Sequence, residues 1–81
     1  MFPLDCLRSN EWAEVTDVDG DPRWVARLAD VGLRAGVRLQ MLQPGSPCLC
    51  EVGATRLSLR LDEHLQVFVR PLVAGLAAVG S

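Results

Sequence analysis

The segment Asp21–Leu33, DPRWVARLADVGL, contains the start, the body and the end of one short helix. Asp21 can accept backbone N–H bonds as the N-cap, and Pro22 suits the first helical position. Gly32 can adopt the left-handed conformation that ends a helix, and such an ending directs Leu33 back onto the core. The segment therefore predicts a helix over residues 22–31.

The apolar residues of this helix repeat at i, i+4 and i+7: they are Trp24, Leu28 and Val31. Residues at this spacing share one stripe of a helix, and an apolar stripe usually faces the core. Arg23 and Arg27 lie towards the other side. We therefore predict that Trp24 packs in the core beside Leu28.

The residues on both sides of the helix alternate between apolar and polar, which is typical of β-strands with one buried face. Before the helix, residues 12–18 predict one strand with Ala13 and Val15 inward, and Leu4 and Leu7 predict an N-terminal turn anchored on the core. After the helix come four short strands, and a single helical turn is predicted at residues 62–65 before the last of them. The inward residues of these strands are Val37, Leu39 and Met41; Cys48, Cys50 and Val52; Leu57, Leu59 and Leu61; and Val67 and Val69.

Five strands of this length do not form a stable open sheet in water, but they can close into a small barrel. The predicted fold class is mainly β: a small SH3-like barrel of about five strands with one short α-helix after the first strand. We assign residues 1–70 to this barrel. Residues 71–81 carry no charged side chain and start with Pro71, which cannot extend a strand, so they predict a separate apolar C-terminal tail.

The composition narrows the possible functions. The 81 residues hold 8 basic side chains, all Arg, against 10 acidic ones, and the net charge of −2 argues against binding to nucleic acid through phosphate contacts. A single His and no Tyr leave few groups for acid–base catalysis, so we predict that the protein is not an enzyme. The lack of Tyr also disfavours a module for proline-rich peptides, which needs an aromatic-lined groove. Three Cys do not suit a disulfide framework, and the tail is too short to cross a bilayer, so we expect a cytoplasmic protein without direct membrane insertion.

The run Arg27–Gly36, RLADVGLRAG, resembles the signature of the FeoA family, the small cytosolic component of bacterial ferrous-iron transport systems. The order of the remaining segments is similar to that family over residues 4–70, including the run RLSLR at residues 56–60. Asn10 stands where family members commonly have Gly before the first strand, and Asn is the next best residue for a positive φ. The residues of the structural signature are Asp21, Leu28, Gly32, Leu33 and Gly36.

The resemblance implies a non-enzymatic regulator of ferrous-iron uptake that docks on the cytosolic GTP-binding domain of the membrane iron permease and requires no cofactor. Arginine is common at interface hot spots, and Trp12 alternates outward beside Glu14 in the first strand. The alternative interpretation of the arginines is a solvated helix face balanced by Asp30. The residues that we predict to bind the partner are Trp12, Arg23, Arg27, Arg34 and Arg38. The apolar tail is also compatible with a homo-oligomer formed by strand addition.

The alternative function is a sensor or carrier of a transition metal ion, with Asp21, Cys48 and Cys50 as candidate ligands. Thiolates suit Fe²⁺ or Zn²⁺ and carboxylates suit Mn²⁺. By our alignment, Asp21 stands where the similar C-terminal domain of iron-dependent repressors has a carboxylate, but Trp24 stands where that domain has an amide. The competing interpretation makes Asp21 a helix cap and the two cysteines small core residues, because residues two apart on a strand share one face. His64 is then a surface residue.

Overall fold

The computed structural model describes residues 2–72, and its main element is a six-stranded antiparallel sheet. The strand order across the sheet is β1-β6-β2-β3-β4-β5. A 3-10 turn, Leu4–Cys6, follows β1, and the helix α1, Pro22–Asp30, follows β2. The strands are β1 Phe2–Pro3, β2 Trp12–Gly20, β3 Arg38–Gln43, β4 Cys48–Val52, β5 Thr55–Leu59 and β6 Leu65–Pro71.

This architecture confirms the predicted fold class, a mainly β, SH3-like domain with one short α-helix. The prediction of about five strands omitted β1, which has two residues and pairs with β6 through Phe2 and Val69. The predicted closure of the strands into a barrel is not seen: within residues 2–72 the two end strands, β1 and β5, are not hydrogen-bonded to each other, because the sixth strand, β1, pairs with β6 only. In the part of the chain that the structure describes, one side of β5 is therefore an open sheet edge.

The ends of α1 follow the predicted capping chemistry. The backbone N–H of Arg23 donates to Oδ1 of Asp21 (2.9 Å), and Pro22 is the first helical residue. Gly32 has φ +102°, and the N–H of Leu33 donates to the carbonyl of Leu28 (2.8 Å). This is the Schellman ending, in which the chain reverses at the glycine and returns the next apolar residue to the core. Both Leu28 and Leu33 are buried.

The core lies on the inner face of the sheet and contains no buried polar or charged residue among the described residues. The predicted anchors Leu4 and Leu7 belong to it, and each central strand contributes alternate residues, as the sequence pattern predicted. The buried residues are Leu4, Leu7, Ala13, Val15, Leu28, Leu33, Leu39, Met41, Cys48, Cys50, Val52, Leu59, Leu65, Val67 and Val69.

The predicted burial of Trp24 is wrong. The Trp24 side chain is 48% exposed and Val31 is 45% exposed, so Leu28 is the only residue of α1 that the core buries. The helix is nine residues long and contacts the sheet mainly through β2. Leu28 lies in the middle of the apolar stripe, and a helix of about two and a half turns buries only this middle position, so the two ends of the stripe stay exposed.

The predicted helical turn at residues 62–65 is also wrong. Asp62 and Leu65 form an isolated antiparallel bridge, in which the N–H of each donates to the carbonyl of the other (3.0 and 3.2 Å). His64, in the tight turn between them, accepts a hydrogen bond on its carbonyl oxygen from the N–H of Asp21 (2.9 Å). Gly20 lies against the same carbonyl, at φ +133°, and a Cβ atom there would be 2.2 Å from the His64 oxygen. Only glycine fits this contact between the start of α1 and the turn.

The start of the predicted tail differs from the expectation as well. Pro71 is the last residue of β6 and pairs with Ala13, and the N–H of Leu72 donates to the carbonyl of Trp12 (2.9 Å). Proline is tolerated here because Pro71 is the last residue of β6, where a missing N–H leaves the other pairs of the strand intact. The rest of the predicted tail, residues 73–81, lies outside the described residues.

Candidate functional site

The exposed surface of α1 carries a tryptophan between two arginines. Trp24, Arg23 and Arg27 border a common surface depression. The guanidinium carbon of Arg27 lies 5.8 Å from the centre of the Trp24 ring, within the range of a cation–π contact. Such a surface combines the two side-chain types that most often dominate the energy of protein interfaces.

Arg23 and Asp21 form an ion pair at the start of α1. The Arg23 Nη2 to Asp21 Oδ2 distance is 3.2 Å. Hydrogen bonds from the Arg23 side chain and backbone lower the pKa of Asp21, and the same side-chain bond raises the pKa of Arg23. Arg23 is therefore already partnered by a carboxylate, whereas Arg27 has no ion pair within residues 2–72. Arg27 is the cation of this face that is available to a binding partner.

A groove of about 570 Å³ separates α1 from β5, and we call it the α1–β5 groove. The exposed side chains of Trp24 and Val31 form part of one wall, and Leu57 of β5 lines the opposite one. The charged residues Arg27, Arg60 and Asp62 also line it, together with His64. The groove thus combines apolar walls with a rim that carries more positive than negative charge.

The residues predicted to bind a partner do not all meet at one place. Arg23 and Arg27 are neighbours on α1, and Arg34 is exposed in the loop after it. Trp12 is 44% exposed and lies at the start of β2. The helix α1 begins beyond the other end of that strand, which is eight residues and up to about 26 Å away from Trp12. Arg38 is near Trp12, because it pairs with Glu14 in the β2–β3 ladder. The prediction thus covers two patches, one on α1 and one at the start of β2.

The α1–β5 groove was not predicted from the sequence. Trp24 and Val31 were predicted to lie on the core stripe and Leu57 on an inward face, and no role was predicted for Arg60. The run RLSLR at residues 56–60 was the available signal, because it interleaves arginine with leucine on what is now seen to be the edge strand.

The candidate metal ligands Cys48 and Cys50 lie together in the core, but Asp21 does not join them. The two Sγ atoms are 3.9 Å apart, and Cys50 Sγ is 4.0 Å from Met41 Sδ. The hydrogen bond to Cys48, together with burial, raises the pKa of Cys50, which keeps that thiol protonated. Within residues 2–72 no three His, Cys, Asp or Glu side chains are close enough to hold a metal ion together. His64 is on the surface, as predicted, with Nε2 3.6 Å from Glu63 Oε1.

The described part of the chain has no helix with the length and apolar character needed to span a bilayer. Its one α-helix, α1, has nine residues and an exposed charged face.

Comparison with known proteins points to one family. The sequence model of the FeoA domain matches residues 2–71 of this chain. The solution NMR structure of the FeoA protein from Chlorobium tepidum is 32% identical in sequence with a TM-score of 0.80, over 89% of this chain and 71% of that one. A crystal structure of an iron uptake regulatory protein (FeoA) has a similar fold, with 24% identity and a TM-score of 0.71, over 86% of this chain and 96% of that one. A search of curated proteins found no significant match.

Proposed function

This chain belongs to the FeoA family of small proteins associated with iron uptake, and from that premise we propose that it is an accessory regulator that docks on the cytosolic GTP-binding domain of the membrane ferrous-iron permease. The family is a non-catalytic accessory family, and the single His of the described region is an exposed turn residue rather than part of a catalytic pair. One of the similar structures is a crystal structure of an iron uptake regulatory protein, and this supports the proposed regulatory role.

The observation that carries the docking proposal is the exposed Trp24–Arg27 pair on α1. A half-exposed tryptophan beside an arginine with no ion pair in the described residues offers a partner surface both an aromatic anchor and an uncompensated positive charge. Arg34, which follows in the next loop, adds a second exposed positive charge. A partner surface with carboxylates and an apolar centre matches this arrangement.

Titration against the purified cytosolic domain of the permease tests the proposal. Isothermal titration calorimetry is run with the domain in three states: free, GDP-bound and bound to a non-hydrolysable GTP analogue. We expect saturable 1:1 binding whose affinity depends on the nucleotide, because a regulator must distinguish the states that it controls. The absence of binding in all three states would refute the docking proposal.

A matched pair of variants locates the surface. Arg27→Ala is expected to weaken binding by about tenfold or more, as removal of a hot-spot arginine does. Arg8→Ala removes the same type of exposed charge from the loop before β2, and it should bind like the natural sequence. Equal weakening by both would show that only the net charge matters.

A further inference from the structure

The α1–β5 groove lies beside an open strand edge, and the two features together resemble the groove in which PDZ and PTB domains hold extended peptides. In that mode a peptide adds a strand to the free edge, and its alternate side chains enter a groove under a neighbouring helix. Ser58 and Leu57 of β5 line the groove directly, opposite Trp24 on α1. The edge and the groove are therefore parts of one continuous surface.

The register of the β4–β5 hairpin identifies the free backbone groups of this edge. Val52 pairs with Thr55 across the two-residue turn 53–54, and a turn of this length makes that pair hydrogen-bonded in both directions. Bonded and non-bonded pairs then alternate along an antiparallel ladder. The N–H and C=O groups of Arg56 and Ser58 consequently point away from β4, where no other strand of the described residues pairs with them.

The apolar walls of the groove are partly exposed to solvent. Trp24 and Val31 are nearly half exposed although they lie on the same stripe as the buried Leu28. The groove volume of about 570 Å³ is within the range of ligand pockets. Apolar side chains of a peptide strand, spaced two residues apart, would cover these walls.

The charges around the groove select the type of peptide. Arg27 and Arg60 have no ion pair within residues 2–72. Asp62 is the one carboxylate among the described residues that line the groove, and its Oδ1 accepts a hydrogen bond from the backbone N–H of His64 (2.8 Å). A peptide that brings a carboxylate to this rim gains partners, whereas a basic peptide would meet two uncompensated arginines.

We propose that the α1–β5 groove binds an extended, acidic segment of the permease's cytosolic domain, which adds as a strand to β5 at Arg56 and Ser58 and places alternate apolar side chains against Trp24 and Val31. A carboxylate of the segment pairs with Arg27 or Arg60. This inference rests on the proposed docking and specifies its structural form.

Ser58 offers a variant that blocks the edge and spares the fold. Ser58→Pro removes an N–H that makes no bond to β4, and proline is found on edge strands at such outward positions. The ring also occupies the space that an added strand needs. Ser58→Thr keeps the N–H and suits a strand, so it is the matched control. Both variants should retain the circular dichroism spectrum and the melting temperature of the natural sequence within a few degrees.

The experiment is a titration of the full-length, ¹⁵N-labelled protein with the unlabelled cytosolic domain, followed by NMR and amide hydrogen exchange. We expect the amides of Arg56 and Ser58 to become protected on binding, and Ser58→Pro to bind about tenfold more weakly or worse, because the peptide loses a hydrogen bond and meets the ring. Ser58→Thr should bind normally, and Arg60→Gln should weaken binding by about threefold or more, with a smaller effect at high salt.

Three other outcomes would refute the strand-addition inference. If the domain binds but both amides still exchange freely and Ser58→Pro binds normally, the docking proposal stands and the strand-addition inference is refuted. If the domain does not bind in any nucleotide state, both are refuted. If the protein alone dimerises with rising concentration and protects the same two amides, the groove holds a second copy of this chain and the inference is refuted.

Discussion

The contact between Gly20 and the turn at residues 62–65 leads to a quantitative prediction for Gly20→Ala. The new Cβ would lie 2.2 Å from the carbonyl oxygen of His64 and 2.8 Å from its carbonyl carbon. One of the two backbone segments must then move by roughly 1 Å to restore an ordinary contact. That movement strains the hydrogen bond from the Asp21 N–H to the same oxygen.

Two effects of Gly20→Ala should lower the free energy of unfolding. An alanine at φ +133° costs about 1–3 kcal/mol of backbone strain, and the displaced hydrogen bonds add about 1–3 kcal/mol. A domain of this size has about 4–12 kcal/mol of stability in all, so the variant loses a large share of it. Its melting temperature should fall by roughly 10 °C or more.

Gly45 provides the control. It has nearly the same backbone angle, φ +134°, but a Cβ there would lie 3.7 Å from the nearest atom, an ordinary contact. Gly45→Ala therefore has the strain without the collision. Urea unfolding followed by tryptophan fluorescence measures both variants, and we expect Gly20→Ala to be less stable than Gly45→Ala by about 1–3 kcal/mol. Equal stabilities within about 0.5 kcal/mol, the usual scatter of such comparisons, would refute the reasoning.

Three further predictions follow from the same structure. Trp24→Ala should change the free energy of unfolding by less than about 1 kcal/mol, whereas Leu28→Ala should lower it by about 2–5 kcal/mol. Chemical denaturation of both variants measures these losses. Similar losses for the two variants would mean that the Trp24 side chain is packed in the core. Asp21→Ala should lower the melting temperature at neutral pH, and the difference from the natural sequence should shrink as the pH falls below about 4. The hydrogen bonds from Arg23 hold the pKa of the folded Asp21 carboxyl below its ordinary value of 3.8, so its contribution to stability is present above that value and is lost as the pH falls through the folded pKa. A pH-independent difference in melting scans would contradict that assignment. Anaerobic titration with Fe²⁺ or Mn²⁺ should show no stoichiometric site that depends on both Asp21 and Cys50, since these residues do not meet; saturable binding that Asp21→Ala and Cys50→Ser each weaken would restore the metal-sensor interpretation.

The parts of the fold that the sequence predicted depend on residues close together in the chain. The two ends of α1 are set by Asp21, Pro22 and Gly32, each acting within a few positions. The inward and outward residues of the long strands follow from strict alternation, so Val15 and Leu39 were placed correctly. Local patterns of this kind do not depend on which segments lie on the other side of the core.

The parts that the sequence did not predict depend on contacts between distant segments. The apolar stripe of α1 shows which side faces the sheet, but not how far the sheet extends under it, and this is why Trp24 was placed in the core. The turn at residues 62–65 is shaped by its contact with Gly20, some forty positions earlier in the chain. The α1–β5 groove forms because α1 and β5 lie side by side. The run RLSLR at residues 56–60 marks one wall of it, but nothing in that run shows that α1 forms the other wall.

The open edge of β5 has a consequence for self-association. An exposed strand edge invites an identical edge from another molecule, and many proteins place charged side chains there to prevent such stacking. Arg56 and Arg60 flank Ser58 on this edge; within residues 2–72 Arg56 is paired with Glu51 at 3.8 Å, and Arg60 has no ion pair. Two copies that met edge to edge would bring four guanidinium groups and two Glu51 carboxylates together, and this net positive charge would oppose self-pairing while attracting an acidic strand.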